Sequence, residues 1–172
     1  MALTANVVGS CKAVFIQANS YVGGSTGTIE ILDYGTGAAA ISNQTINFSG
    51  STSSGVLNIS VSDLSVSYGL IRINLIENNI TQASISVLLH CDIDCCLVKL
   101  TNELIDCACD CAKCASSLAK AQKIFLLLQS ALTAVQIINN SETLQNEGYY
   151  LDAYNKYTKA KELCDASCGC DC

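Results

Sequence analysis

The stretch Ala83-Ser84-Ile85-Ser86-Val87-Leu88-Leu89-His90-Cys91-Asp92-Ile93-Asp94-Cys95-Cys96 divides the chain into two kinds of sequence. Up to Leu89, apolar and small polar residues alternate, with Ile85, Val87 and Leu89 on one side. A repeat of two belongs to a strand with one buried and one exposed face. Beyond Cys91 the composition turns to Lys, Leu, Ala and Cys, and apolar residues recur every three or four positions. That is the repeat of a helix with one buried stripe. The switch predicts an α+β protein with a β-sandwich domain at 1–90 and a cysteine-rich helical domain at 91–172.

Upstream of the switch the alternation recurs in short runs separated by turn residues. Ala13 to Ala18, Thr28 to Leu32, Gln44 to Phe48, Val56 to Val61, Leu64 to Tyr68 and Leu70 to Ile76 each read as strands. Gly23-Gly24, Gly35-Thr36-Gly37 and the Ser/Gly loop from Ser49 to Gly55 punctuate them. Six or seven strands at this spacing predict an antiparallel sandwich of immunoglobulin-like size, with a barrel or jelly roll as alternatives.

Downstream, Asp94 to Ile105 reads as a first short helix and Ala115 to Asn139 as a long one. Ile124, Leu127, Leu128, Ala131, Leu132, Val135 and Ile138 form the stripe of the long helix. Asn139-Asn140-Ser141 breaks it. Glu147 to Cys164 returns, with Tyr150, Ala153, Tyr154, Tyr157, Ala160 and Cys164 as its stripe. The pair predicts an antiparallel helical hairpin. Gly148 to Ala160 resembles one helix of a tetratricopeptide repeat, but a single copy is a packing pattern rather than a repeat domain.

Eleven of the twelve cysteines lie between Cys91 and Cys172. They form three clusters: Cys91, Cys95 and Cys96; Cys107, Cys109, Cys111 and Cys114; and Cys164, Cys168, Cys170 and Cys172. In a hairpin the second and third clusters meet at the open end, and the first joins them if its helix folds back. Two chemistries suit such a gathering, and an iron–sulfur cluster is a third option whose spacing does not match the common ferredoxin runs. Thiolates bind Zn²⁺ in fours, which makes all eleven candidate metal ligands. The absence of a basic stretch followed by an apolar run in Met1-Ala2-Leu3-Thr4-Ala5-Asn6 predicts no secretory signal, and a reducing cytosol favours metal. The alternative is disulfides formed after the protein leaves a cell, each contributing roughly 2–4 kcal/mol. Cys11 reads as a small buried hydrophobe.

Function is constrained mainly by what is missing. Half the chain is apolar, only 14% is charged and the net charge is −6. Arg72 is the single arginine and the lysines are scattered, so no basic face exists for nucleic acid or an anionic membrane. Ile124 to Ile138 is interrupted by Gln129, Ser130, Thr133 and Gln136, which argues against a membrane span. His90 is the only histidine and has no obvious acid partner in the sequence. Asp92 and Asp94, or Asp106 and Asp110, could support the ligands of a metal, but read better as solvated. No nucleophile–base set and no phosphate-cradling motif is apparent, so an enzyme is not expected. The apolar excess is expected to face other subunits.

The layout resembles cysteine-rich virion proteins of tailed bacteriophages. The resemblance rests on a β-sandwich, a junction reading Leu89-His90-Cys91-Asp92-Ile93-Asp94-Cys95-Cys96, and a helical hairpin closing on Cys168-Gly169-Cys170-Asp171-Cys172. It implies a non-enzymatic capsid, neck or tail component, made in the host cytoplasm and present in many symmetric copies. Its partners would be copies of itself and other virion proteins, with no catalytic residues. Two other classes stand beside it: a metal-binding or thiol-redox module, and a secreted, disulfide-stabilised filament or adhesive protein.

Overall fold

The computed structural model describes residues 3–8, 12–33, 39–49, 53–64, 69–106, 111–140 and 147–168. Among the described residues, seven strands precede three α-helices: β1 (Leu3–Val8), β2 (Ala13–Asn19), β3 (Thr26–Asp33), β4 (Ala39–Asn47), β5 (Ser54–Ser60), β6 (Gly69–Glu77), β7 (Ile80–Leu89), α1 (Cys91–Asp106), α2 (Cys111–Asn140) and α3 (Glu147–Cys168). The chain divides into two compact units, one of strands and one of helices, with Ile138, Asn139 and Asn140 at the end of α2 belonging to the strand unit.

The strand unit is an antiparallel sandwich. One sheet has the order β1-β2-β5 and the other β4-β3-β6-β7. The alternation in the sequence decides which side chains meet. Val14, Ile16 and Ala18 of β2 enter one core with Ile29 and Ile31 of β3, Ile46 of β4, Ile59 of β5, and Ile71, Ile73 and Leu75 of β6. Strand β1 was not expected from the sequence. Only Leu3 in it is buried, so its alternation is too weak to announce a strand. Its pairing with β2 from Leu3↔Ala18 to Val8↔Ala13 supplies the order instead. Residues 65–68, expected to extend a strand from Leu64, lie outside the described residues.

Local geometry fixes the connections. Asn78 and Asn79 take φ of 53° and 62° between β6 and β7. Two consecutive left-handed residues make the tight hairpin turn that matches strand twist, and asparagine tolerates that region better than most residues. Gly55 is required for a different reason: a Cβ there would lie 2.4 Å from the Asn47 carbonyl oxygen and 2.9 Å from Ile46.

Strand β6 departs from simple alternation, because both of its faces are withdrawn from water. Its second face carries a chain of polar side chains. Arg72 Nη2 donates to Ser84 Oγ at 3.3 Å, Ser84 Oγ donates to Asn74 Oδ1 at 2.7 Å, and Asn74 Nδ2 donates to Glu30 Oε2 at 2.9 Å. These polar side chains are tolerated on the sheet because they bond to one another in sequence. Glu77 is also buried, and accepts from the Ser20 hydroxyl and, at 2.7 Å, from the Tyr21 amide. That pins the β2–β3 turn to the end of β6.

Strand β7 is an edge strand, with peptide groups facing away from β6. Asn139 covers one of these positions. The Ser86 amide donates to Asn139 Oδ1 at 2.7 Å, and Asn139 Nδ2 donates to the Ser86 carbonyl at 2.8 Å. One side-chain amide thus reproduces the two bonds of a neighbouring strand.

In the helical unit, α1 begins at Cys91 and runs three residues earlier than the sequence suggested. The His90 carbonyl accepts from the amides of Ile93 and Asp94, which starts the helix at the switch point itself. Ile93, Cys96 and Leu100 form the buried stripe of α1, and Ala153, Tyr157, Ala160 and Cys164 that of α3. The two alanines present little bulk, which permits close helix approach. Helix α2 is 30 residues long. Its segment Ala115–Asn140 is long and apolar enough to cross a membrane by length and composition, contrary to the expectation from its polar interruptions, with a third of its most apolar window buried.

Candidate functional site

The chemistry of the helical unit concentrates where α1 meets α3. Asp92 met Tyr157 and Lys161, and Cys96 met Cys164, so the helices run in the same direction. Cys96 and Cys164 form a disulfide with their Cα atoms 5.9 Å apart. The Cys164 carbonyl and the Asp92 carbonyl lie within 4 Å of the opposing sulfurs, at 3.8 and 3.9 Å. The bond is buried, with Cys96 and Cys164 both at most 1% exposed.

One turn earlier sits a carboxylate that the sequence reading placed in solvent. Asp92 is 5% exposed. The Tyr157 hydroxyl donates to it at 3.1 Å, the Ile93 amide at 2.9 Å, and Lys161 Nζ lies 3.1 Å from Oδ2. Its place in the first turn of α1 adds the favourable end of the helix dipole. Burial lowers the Lys161 pKa, but the hydrogen bond and charge of Asp92, with help from Asp165, outweigh it and hold the lysine above its ordinary value. A buried carboxylate so supplied with donors is a structural anchor between helices. The clue in the sequence was the Tyr157/Lys161 pair, four residues apart on one face of α3.

His90 has the acid partner that the sequence did not reveal. Its Nδ1 lies 3.0 Å from Asp94 Oδ2, across the first turn of α1. The arrangement places an imidazole and a carboxylate beside the first cysteine cluster.

The eleven cysteines expected as metal ligands fare unequally. Cys96 and Cys164 are bonded to each other, and Cys91 and Cys95 are also in disulfides. In this form none of the four is a thiolate ligand, which is the physical reason the zinc expectation finds no support. Among the described residues no group of His, Cys, Asp and Glu is arranged to hold a metal ion. Cys111, Cys114 and Cys168 lie in helices with side chains outside the described set, and Cys107, Cys109, Cys170 and Cys172 lie outside the described residues altogether, as does Cys11. The expectation brought the second and third clusters together, with the first joining them if its helix folds back. The described bond joins the first cluster to the third, and the side chains of the second lie outside the described set.

No protein-family model, curated protein or solved structure matches this chain.

Proposed function

We propose that the chain is a non-enzymatic structural and assembly protein, a building block of a particle such as a bacteriophage virion, whose helical unit is stapled by disulfides rather than by zinc. The observation that carries this reading is the α1–α3 seam, where a buried disulfide lies one turn from an anchor in which Tyr157 and Lys161 meet the buried Asp92 carboxylate. Both devices hold two helices together, and the groups at their centres, the disulfide and the Asp92 carboxylate, are buried. A sulfur that exchanges electrons with partners needs exposure. Cys96 and Cys164 have almost none.

Disulfides persist in oxidising surroundings. A chain made in a host cytoplasm would therefore form them on release, and the finished particle would be their place of work. The apolar excess, with only 14% charged residues, suits a protein surrounded by copies of itself and other subunits.

The test is an intact-mass measurement with a free-thiol count and elemental analysis on native protein recovered from particles. The expected result is four or more cysteines oxidised, no stoichiometric zinc, and sedimentation with the particle fraction. Fully free thiols with bound zinc, or recovery only as a free chain whose thiol count cycles with redox buffer, would overturn the proposal.

A further inference from the structure

The outward side of α2 repeats every seven residues. Leu118, Phe125 and Leu132 recur at that interval, and so do Gln122, Gln129 and Gln136, four residues after each. The 4-3-4-3-4 spacing is that of the d and a positions of a coiled coil. Leu118, Gln122, Phe125, Gln129 and Gln136 are exposed and Leu132 is half-buried, while the inward side carries Ile124, Leu128, Ala131 and Val135. Phe125 is 50% exposed and its neighbour Leu126 is 66% exposed. From Ile124 to Asn140 the helix has no charged residue.

We infer that this face of α2 is a self-association surface, which pairs with α2 of a second copy in parallel and in register. The inference rests on the assembly reading above and names the partner. Three features choose the occupant. A surface without charge over this length selects a partner that is also uncharged, which a second copy supplies. In a parallel pair, a positions face a positions and d face d. Gln122, Gln129 and Gln136 then each meet their own counterpart, and an amide both donates to and accepts from another amide. Leu118, Phe125 and Leu132 meet likewise, giving three apolar layers alternating with three amide layers. An antiparallel pair sets each glutamine against a leucine or phenylalanine and leaves the amides without partners. A lipid surface does the same at greater cost, because hydrocarbon offers no hydrogen bonds.

The size is consistent with weak, repeated contacts. The exposed helix from 115 to 137 is about 34 Å long. Six seam side chains covering roughly 100 Å² each give about 1,200 Å² across both copies, the lower edge of stable interfaces. Polar a positions lower affinity and set register. The pair should therefore have a dissociation constant in the micromolar range or weaker.

The experiment is sedimentation equilibrium of the full chain over a concentration series from about 1 to about 500 µM, in oxidised and reduced buffers. The wild type is expected to shift from monomer to dimer. Phe125→Glu should weaken association at least ~10-fold, and Gln129→Leu should strengthen it by a similar factor. Gln122→Glu and Gln122→Lys should each weaken it, and an equimolar mixture of the two should restore it, because residue 122 faces residue 122 in the parallel register. A wild type that stays monomeric throughout would overturn the inference, as would a dimer indifferent to Phe125→Glu or a mixture no better than its components. Co-flotation with phosphatidylcholine vesicles that Phe125→Glu abolishes would assign the face to lipid and overturn it too. A seam dimer that forms equally in fully reduced protein leaves this inference standing even if the thiol count has refuted the disulfide reading.

Discussion

Removing the Cys96–Cys164 bond by the double change Cys96→Ala and Cys164→Ala should destabilise the helical unit by an amount that depends on redox state. The bond closes a loop with a sequence separation of 68. In the chain-entropy account, a loop of that length restricts the unfolded state by roughly 4 kcal/mol. Cys91 and Cys95 are also cross-linked, so part of that restriction is shared, and about 3 kcal/mol is the lower value for a short effective loop. Loss of two buried sulfurs from the seam adds about 1–2 kcal/mol of packing, and this part is independent of oxidation. Urea unfolding followed by helical circular dichroism, in oxidised and fully reduced buffer, separates the two. The oxidised wild type should exceed the oxidised variant by about 4–6 kcal/mol, and the reduced pair should differ only by the packing share, about 1–2 kcal/mol. Both cysteines are changed together so that no single thiol is left to exchange with the remaining disulfides. Equal differences in the two buffers would refute the reasoning, because the bond would then not be constraining the unfolded chain.

Tyr157→Phe removes a hydrogen bond to a buried carboxylate and should cost about 1.5–3 kcal/mol in the same unfolding assay, with the fold retained. The Lys161 pKa is held above 10.5 in the folded protein, so its stabilising contribution is complete below that pH and disappears as pH rises through the raised value. An alkaline stability titration should therefore show a decline above about pH 10.5 that is shallower in Lys161→Met. Asn139→Ala removes the two hydrogen bonds that Asn139 makes to the Ser86 backbone and should lower stability by about 2 kcal/mol, read as a fall in melting temperature. Gly55→Ala forces a Cβ against the Asn47 carbonyl and should cost at least about 1–3 kcal/mol, visible as loss of soluble expression or a lower melting temperature.

What the sequence revealed follows from how local each feature is. Strands β2, β3, β5, β6 and β7 were legible because period-two burial is written into each run, as in Val14, Ile16 and Ala18 or Ile71, Ile73 and Leu75. Strand β1 was not, because its place depends on the ladder offered by β2 and hardly on its own side chains. The three helices were legible from the three-and-four spacing, with ends displaced by up to four residues. On α2 aliphatic residues lie on both the inward and the outward side, so the outward heptad does not stand out from the buried stripe.

The cysteines mark the limit more sharply. Their spacing announces that sulfur chemistry closes the helical unit, but spacing along a chain cannot say which helix lies against which. That is decided by surfaces: small Ala153 and Ala160 on α3, Ile93 and Leu100 on α1, and the Asp92–Tyr157 bond that fixes their register. Once α3 lies parallel to α1 in that register, Cys96 and Cys164 come within bonding distance. The seam thus comes before the bond in the logic of the fold. The disulfide secures a contact that packing and one buried carboxylate have already selected, which is why the reduced protein should keep the α1–α3 contact while losing most of its resistance to unfolding.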